Sequence, residues 1–390
     1  MKKWIGFFGI GALVAAMLIA APTAAMAIGF QVPGSDTTID IGGYVKLDVV
    51  YNDVSAGDDS QANIEYVPSG VPLDGDEEGT DEIVFNARES RLWVKTTTPT
   101  KLGPLKTHLE GDFDTEESSQ VVSNSRGFRL RHAYGTLKGF LFGQTWSTFM
   151  HLYSLPEIND FGGPTGSMFV RQAMVRYTWN MNDMTSMDFA LENPETYYAE
   201  GGALNVADDD DMPDIIARFT MTPSWGNISA AVMARKLVVE TATADDSALA
   251  LSGQVGAMVK LFGQDSVMGA IQYGQGLGRY SSLATHPDAV VDAGGNIDSL
   301  DQLAGFVAYQ HYWVGTWRST LVVGYSKADD PIELQGTDIT EETFSIHANL
   351  MFNPVPNTRL GIEYLRGERE VYDGRDGELN RIQLSAMVSF

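Results

Sequence analysis

The sequence predicts an all-β chain, a transmembrane antiparallel β-barrel of about sixteen strands with short periplasmic turns and long outer loops. Three observations predict it. The last nine residues, Ile382 to Phe390, alternate without a break and end on an aromatic: Ile382, Leu384, Ala386, Val388 and Phe390 share one face, as a period of two requires. A terminal apolar strand suits a barrel, whose last strand must pair with the first to leave no open edge in lipid. Second, connections alternate between short and long along the whole chain. Third, after the N-terminal leader no segment approaches 18 consecutive apolar residues, so nothing later in the sequence reads as a membrane-spanning helix.

The leader comes first in chain order. Lys2 and Lys3 precede an apolar run from Ile5 to Ala20, Pro22 breaks it, and Ala25-Met26-Ala27 is a small-x-small cleavage site. Residues 1–27 therefore read as a cleaved signal peptide, and 28–390 as a single barrel domain. Removing two lysines takes the formal charge from −25 to −27. So acidic a surface argues against nucleic acid as a partner. The chain has no cysteine, which excludes a disulfide scaffold and thiol catalysis. No cofactor or metal site is read from the sequence.

Strands are expected near 39–52, 82–98, 104–114, 126–138, 139–147, 168–180, 184–193, 212–223, 225–239, 248–263, 265–275, 300–313, 314–327, 339–353, 356–370 and 378–390. Short, turn-rich links such as Pro99 to Gly103, Lys138-Gly139 and Gly263 to Asp265 alternate with long polar ones at 53–81, 115–125, 148–167, 194–211, 240–247, 276–299, 328–338 and 371–377. Each strand offers a lipid face. Val45, Leu47, Val49 and Tyr51 alternate with Tyr44, Lys46 and Asp48, and Trp317, Leu321, Val323 and Tyr325 alternate with Arg318 and Thr320. Tyr177, Trp179, Trp313 and Trp317 sit near strand ends, where aromatic girdles belong. Charges on the opposite parity fall in a wet lumen, and a barrel of this size leaves an aqueous channel.

Loop 148–167 is too apolar for a freely solvated loop. With Tyr153, Glu157, Asp160 and Phe161 it is expected to fold into the barrel and narrow the pore. Arginines concentrate in the first half, at Arg88, Arg91, Arg126, Arg129, Arg131, Arg171 and Arg176. Arg91 and Lys95 should face the lumen, as should Trp93, for which a girdle position is the alternative. Arg129 and Arg131 share a face opposite Phe128, Leu130 and Tyr134, and His132 falls on the outer face. Arg171 and Arg176 differ in parity, so both face inward only with a bulge or a strand end between them. A basic ladder facing an acidic loop would set a field across the constriction and draw anions. Pairing of these arginines with Glu89, Glu110 and Asp112 is the competing reading. The acidic runs Asp74 to Glu82 and Asp208 to Asp214 are read as solvated loop, with divalent cations that bridge lipopolysaccharide as the lesser reading.

The stretches Gly29 to Tyr51, Ser90 to Phe113, Arg129 to Gly139, Gly143 to Phe149 and Arg171 to Trp179 resemble the DcaP-like outer-membrane porins. The resemblance implies a sixteen-stranded homotrimeric porin of the Gram-negative outer membrane, in contact with lipid and lipopolysaccharide. It further implies passage of small anionic solutes such as dicarboxylates, with Arg91, Arg129, Arg131, Arg171 and Arg176 at the basic pore lining. A non-conducting structural or adhesive barrel is the alternative. An outer-membrane hydrolase is less favoured, because the six histidines are scattered with no nucleophile–base set among them.

Overall fold

The computed structural model describes residues 28–57, 60–75, 80–115, 118–119, 123–207 and 210–390. Residues 1–27, the expected signal peptide, lie outside the described residues, as do parts of both acidic runs.

Sixteen strands close into one antiparallel barrel. In chain order they are β1 (Thr38–Asn52), β2 (in two pieces, Glu82–Asn86 and Arg91–Thr100), β3 (Gly103–Asp112), β4 (Arg129–Leu137), β5 (Phe140–Trp146), β6 (Arg171–Asn180), β7 (Thr185–Glu192) and β8 (Asp214–Met221). The second half comprises β9 (Gly226–Glu240), β10 (Asp245–Lys260), β11 (Ser266–Gln275), β12 (Asp301–Tyr312), β13 (Trp317–Ala328), β14 (Thr340–Phe352), β15 (Thr358–Val371) and β16 (Asp376–Ser389). Each pairs with its neighbour in sequence. β1 then pairs with β16 from Tyr44↔Ser389 to Asn52↔Arg381, which leaves no open edge between first and last strands. Phe390 completes that seam: its N–H and carbonyl both bond to Gly43, at 3.0 and 3.1 Å. Only glycine fits at position 43, because a Cβ there would stand 2.1 Å from the Arg91 carbonyl.

The expected faces are present. Val45, Phe142, Val232, Leu251, Ile271, Val307 and Leu321 are exposed on the outside, while Lys46, Asp48, Gln254, Gln272, Thr320 and Gln383 are buried on the inside. Exposed Trp179, Trp225, Trp313 and Trp317 gather at the short-turn end. The Lys138-Gly139 turn has φ of 51° and 86°, the left-handed pair that a two-residue hairpin demands.

Three details differ from the sequence expectation. β2 is broken at residues 87–90, where Ser90 Oγ rather than the ladder takes the Lys46 N–H (3.1 Å). The links expected at 240–247 and 371–377 are tight turns, because β9–β10 and β15–β16 keep pairing out to Glu240↔Asp245 and Glu370↔Asp376. The upper ends of β9 and β10 stay ordered because they bury apolar surface. Thr196–Glu200, Ala203–Ala207, Ala289–Val291 and Ile297–Ser299 form a second, four-stranded sheet beyond the barrel. Tyr198, Ala207, Val291 and Ile297 of that sheet pack on Leu237, Val239 and Ala250.

Candidate functional site

The lumen has two unlike walls. The inner faces of β9–β16 and β1 are covered by segment 147–170. Going round the barrel, His151 Nε2 meets Asn227 Oδ1 of β9 at 2.7 Å. Gln272 of β11 donates to the Gly166 carbonyl. Asn349 of β14 donates to the Glu157 carbonyl at 2.9 Å. Glu363 of β15 takes the Asn159 N–H at 2.6 Å, and Gln383 of β16 and Lys46 of β1 donate to the Asn159 carbonyl. Glycines let the segment lie this close: a Cβ at Gly324 would stand 2.1 Å from the Thr165 carbonyl, and one at Gly361 2.4 Å from Asn159. The segment's own apolar residues, Phe149, Met150 and Met168, pack with Leu277, Tyr280, Ile216 and Met233.

Its carboxylates are neutralised on this wall. Glu157 is bound by Arg318, Arg359 (3.3 Å) and Gln310 (2.9 Å). Burial pushes the Glu157 carboxyl up, but the hydrogen bonds and charge of Arg318, with Arg359, more than offset it and leave it below its ordinary value. Asp160 bonds to Arg381 at 2.9 Å and to the Tyr66 N–H at 3.0 Å. Tyr153 is exposed within the loop, beside His151.

The opposite wall, β2–β6, carries the arginines. Glu110 and Asp112 of β3 bind three of them. Asp112 meets Arg129 and Arg131 at 2.9 Å, and Glu110 meets Arg131 at 3.0 Å and Arg91 at 3.4 Å. Asp114 adds a second contact to Arg129 at 2.8 Å. Arg171 and Arg176 form no ion pair among the described residues. Arg171 lies over the Trp146 ring at 4.6 Å and near Phe169 at 5.8 Å. The tip of the opposite segment, Phe161, reaches this wall. Its ring centre is 5.2 Å from Arg131, 5.7 Å from Arg129 and 5.9 Å from Arg91. Arg91, Arg129, Arg131, Arg171 and Arg176 against Glu110, Asp112 and Asp114 sum to 5 − 3 = +2 for these eight side chains, with Lys95 further down the same wall left out.

Trp93 and Lys95 lie below Arg91 on the same side of β2. Trp93 lies flat against Gly42, where a Cβ would meet the indole at 2.3 Å, and Lys95 Nζ stands 4.3 Å over the ring. Arg176 shares its parity with buried Gln172 and Met174, whereas Arg171 is the first residue of β6 and turns onto Trp146 at the strand end.

His132 corrects the sequence reading. It is buried inside, bonded to Thr145 Oγ1 at 3.0 Å, rather than on the outer face. The cause is a β-bulge: Glu110 pairs with His132 but Gly111 pairs with Leu130, so Arg131 is the extra residue. A bulge shifts parity by one. It lets Arg129 and Arg131 face inward above it and His132 and Tyr134 face inward below it. His108 stacks on His132 at 5.5 Å and bonds to Tyr134 at 3.2 Å.

Two further loops enter the barrel, and neither was anticipated. Tyr66 of loop 53–81 is fully buried, with its hydroxyl 3.0 Å from Thr165 Oγ1. In loop 276–299, Tyr280 is fully buried and bonds to Asp214 at 2.7 Å, and Asp288 holds Arg235 at 2.8 Å. The criterion applied to loop 148–167 also fits these loops, with Ile64, Tyr66, Val67, Val71 and Leu73 in the first and Leu277, Tyr280, Val290 and Val291 in the second. The described members of the second acidic run are engaged locally: Asp210 holds Thr196, Asp211 holds Lys236 and Asp214 holds Arg235.

The DcaP outer membrane protein family model matches residues 26–390. The chain belongs to that family. Porin Omp2b of Brucella suis is 29% identical over 233 residues, covering 55% of this chain and 56% of its own length. Omp2b of Brucella abortus (strain 2308) is 31% identical over 220 residues, covering 54% of each. The chain thus spans about half the length of the curated relatives it matches. Among solved structures, the outer membrane channel DcaP of Acinetobacter baumannii has a TM-score of 0.78 at 24% identity, covering 94% of this chain and 100% of that one. The anion-selective porin from Comamonas acidovorans has a TM-score of 0.57 at 13% identity, covering 91% and 100%. These likenesses show the fold. The family and its neighbours are outer-membrane channels, not enzymes, and they place this barrel in a Gram-negative outer membrane.

Proposed function

We propose that the protein is a passive diffusion porin for small anionic solutes of the dicarboxylate class. Solutes pass between segment 148–167 and the arginine wall. The observation that carries this reading is the pair Arg171 and Arg176, two guanidinium groups that form no ion pair among the described residues, on a wall whose other three arginines are matched by Glu110, Asp112 and Asp114. On the far wall Glu157 and Asp160 are already paired, so they repel an entering anion weakly. An anion touching solvated guanidinium groups at 4 Å gains about 1 kcal/mol from each. Several such contacts reach ~4 kcal/mol, which is millimolar binding and weak enough for release.

Trp93 and Lys95 extend the basic track below the constriction, and Tyr153, Glu157, Asp160 and Phe161 form its opposite side. The fold likeness to OmpT of Vibrio cholerae, solved in a trimer form at a TM-score of 0.58, supports a homotrimer as the working unit. The leader 1–27 directs export through the inner membrane. The test is the reversal potential of the purified protein in a planar bilayer under a KCl gradient. Anion preference supports the reading. Cation preference would move selectivity to the acidic loops, and absence of conductance from inserted protein would favour a structural barrel.

A further inference from the structure

The formal charge of the barrel is divided along its axis. With each described strand residue taken with the nearer end of its strand, the halves next to the short turns carry 7 − 3 = +4. Four of the cations, Lys95, Lys106, Arg176 and Lys260, form no ion pair among the described residues. Each shares its parity with a lumen residue of its own strand: Lys95 with Arg91, Lys106 with Glu110, Arg176 with Gln172 and Lys260 with Gln254. The other three grip segment 147–170. Arg218 donates to the Met150 carbonyl at 2.8 Å, and Arg318 and Arg359 hold Glu157. Two of the three carboxylates are engaged, Asp188 by Arg218 at 2.8 Å and Glu363 by His347 at 3.1 Å. The third, Asp40, lies opposite Lys95 in the β1–β2 register.

The short turns and the link 32–37 add Lys101 and Lys138 against Asp36, Asp183 and Asp265, so this end stays at 4 − 1 = +3. The opposite end is acidic. The strand halves next to the long loops, with Arg91 midway along β2 taken outward, carry 12 − 17 = −5, and the described long-loop residues carry 3 − 19 = −16. Moving Glu157 to the end of the two arginines that bind it changes the contrast only to +2 against −20. The apolar band of such barrels is about 25 Å tall. That is several times the Debye length of about 8 Å at 0.15 M salt. The two ends therefore act on ions one after the other rather than as a single net charge.

We propose that the lumen is a bipolar channel: an outer vestibule that gathers cations lies in series with a periplasmic half that gathers anions, where Lys95, Lys106 and Arg176 form an anion station beyond the constriction. The short-turn end faces the periplasm in outer-membrane barrels. The proposal rests on the porin reading and adds a direction to it. With the outer side positive, cations enter through the acidic mouth and anions through the basic one, so both accumulate in the lumen. With the polarity reversed, each ion must enter through the mouth that repels it, and the lumen is depleted. The current is therefore larger when the outer side is positive, and a small dicarboxylate reaches its station more readily from the periplasmic side.

Current–voltage curves of the purified protein in a planar bilayer, with equal KCl on both sides, test it. The chain has no cysteine, so biotin on Asp211→Cys, in an outer loop, reports orientation through streptavidin added to one chamber. The expected current ratio between polarities is about twofold at 0.1 M KCl, where the Debye length is about 10 Å, and it approaches one at 1 M, where that length is about 3 Å. Lys95→Gln with Lys106→Gln takes the short-turn end to 3 − 2 = +1 and lowers the ratio. Lys236→Gln with Lys327→Gln removes the same charge from the outer half and does not lower it. Succinate blocks the wild-type current at a lower concentration from the periplasmic side than from the outer side. A linear wild-type curve at 0.1 M, a larger current with the outer side negative, equal block from both sides, or an unchanged ratio in the Lys95/Lys106 variant overturns the proposal while leaving a conducting porin. Absence of any conductance from inserted protein overturns the porin reading itself, so the two failures are read separately.

Discussion

Replacing Arg171 and Arg176 by Ala removes two charges that form no ion pair among the described residues, with Asp112 acting on Arg171 and Asp188 and Glu192 on Arg176 only from farther off. The arginine wall falls from +2 to 2 − 2 = 0. Each charge is worth about 1 kcal/mol to an anion at contact in water, so the upper limit is ~2 kcal/mol, roughly thirtyfold in relative permeability. At 0.15 M salt the Debye length is about 8 Å, which screens part of this. The expected shift in the anion-to-cation permeability ratio is therefore about fivefold toward cations, read from the reversal potential under a KCl gradient. The more obvious pair, Arg129 and Arg131, is a poorer test. Removing them strands Glu110, Asp112 and Asp114, and breaking buried pairs costs ~3–5 kcal/mol, so a change there would mix selectivity with misfolding. An unchanged reversal potential in the Arg171/Arg176 variant, with normal conductance and folding, would refute the arginine wall as the selectivity element.

Other perturbations act on the inward segments. Arg381→Met takes the cationic partner from the buried Asp160 carboxylate, which keeps only the N–H groups of Tyr66 and Gly162, and the donor from the Ala62 carbonyl; with ~3–5 kcal/mol lost at that joint, segment 148–167 should become cleavable by added protease and conductance should rise. Gly324→Val places carbon on the Thr165 carbonyl and should release the same segment without changing the charge of either wall, seen as larger conductance with unaltered ion preference. Burial, then the neighbouring Asp114, pushes the Glu65 carboxyl up to about 8, above its unfolded value near 4.5. The docked loop 53–81 therefore binds the proton more tightly than the free loop does. Its docking should be firmest below about pH 4.5 and weaken as pH rises toward 8. Hydrogen exchange of loop 53–81, corrected for intrinsic rates, should show that loss, and Glu65→Gln should abolish the dependence.

The strand pattern was legible because a barrel wall separates two solvents, lipid and water. That separation writes a period of two into β1, β13, β14 and β15, and each observed strand boundary falls within a few residues of the expected one. Loop 148–167 stood out by its apolar content. Loops 53–81 and 276–299 carry the same mark, with Tyr66 and Tyr280 at their centres, but their polar flanks masked it. His132 was misplaced for a different reason. Parity counting assumes an unbroken ladder, and nothing in Leu130-Arg131-His132 signals that Arg131 is the inserted residue.

By itself, then, the sequence determined the closed antiparallel wall, the seam at Phe390, the lipid face and the set of arginines on the early strands. These follow from local periodicity and from the need to satisfy every backbone group in lipid. The tertiary structure decided which charges are spent and which are free. Whether Arg131 meets Glu110, or Arg171 meets the rings of Trp146 and Phe169 instead of a carboxylate, depends on a one-residue bulge and on strand ends. That Glu157 and Asp160 are neutralised depends on where a loop crosses the barrel to reach Arg318, Arg359 and Arg381, residues roughly 160 to 220 positions away in the chain. Such contacts are set by register and packing across the lumen, which a linear pattern does not encode.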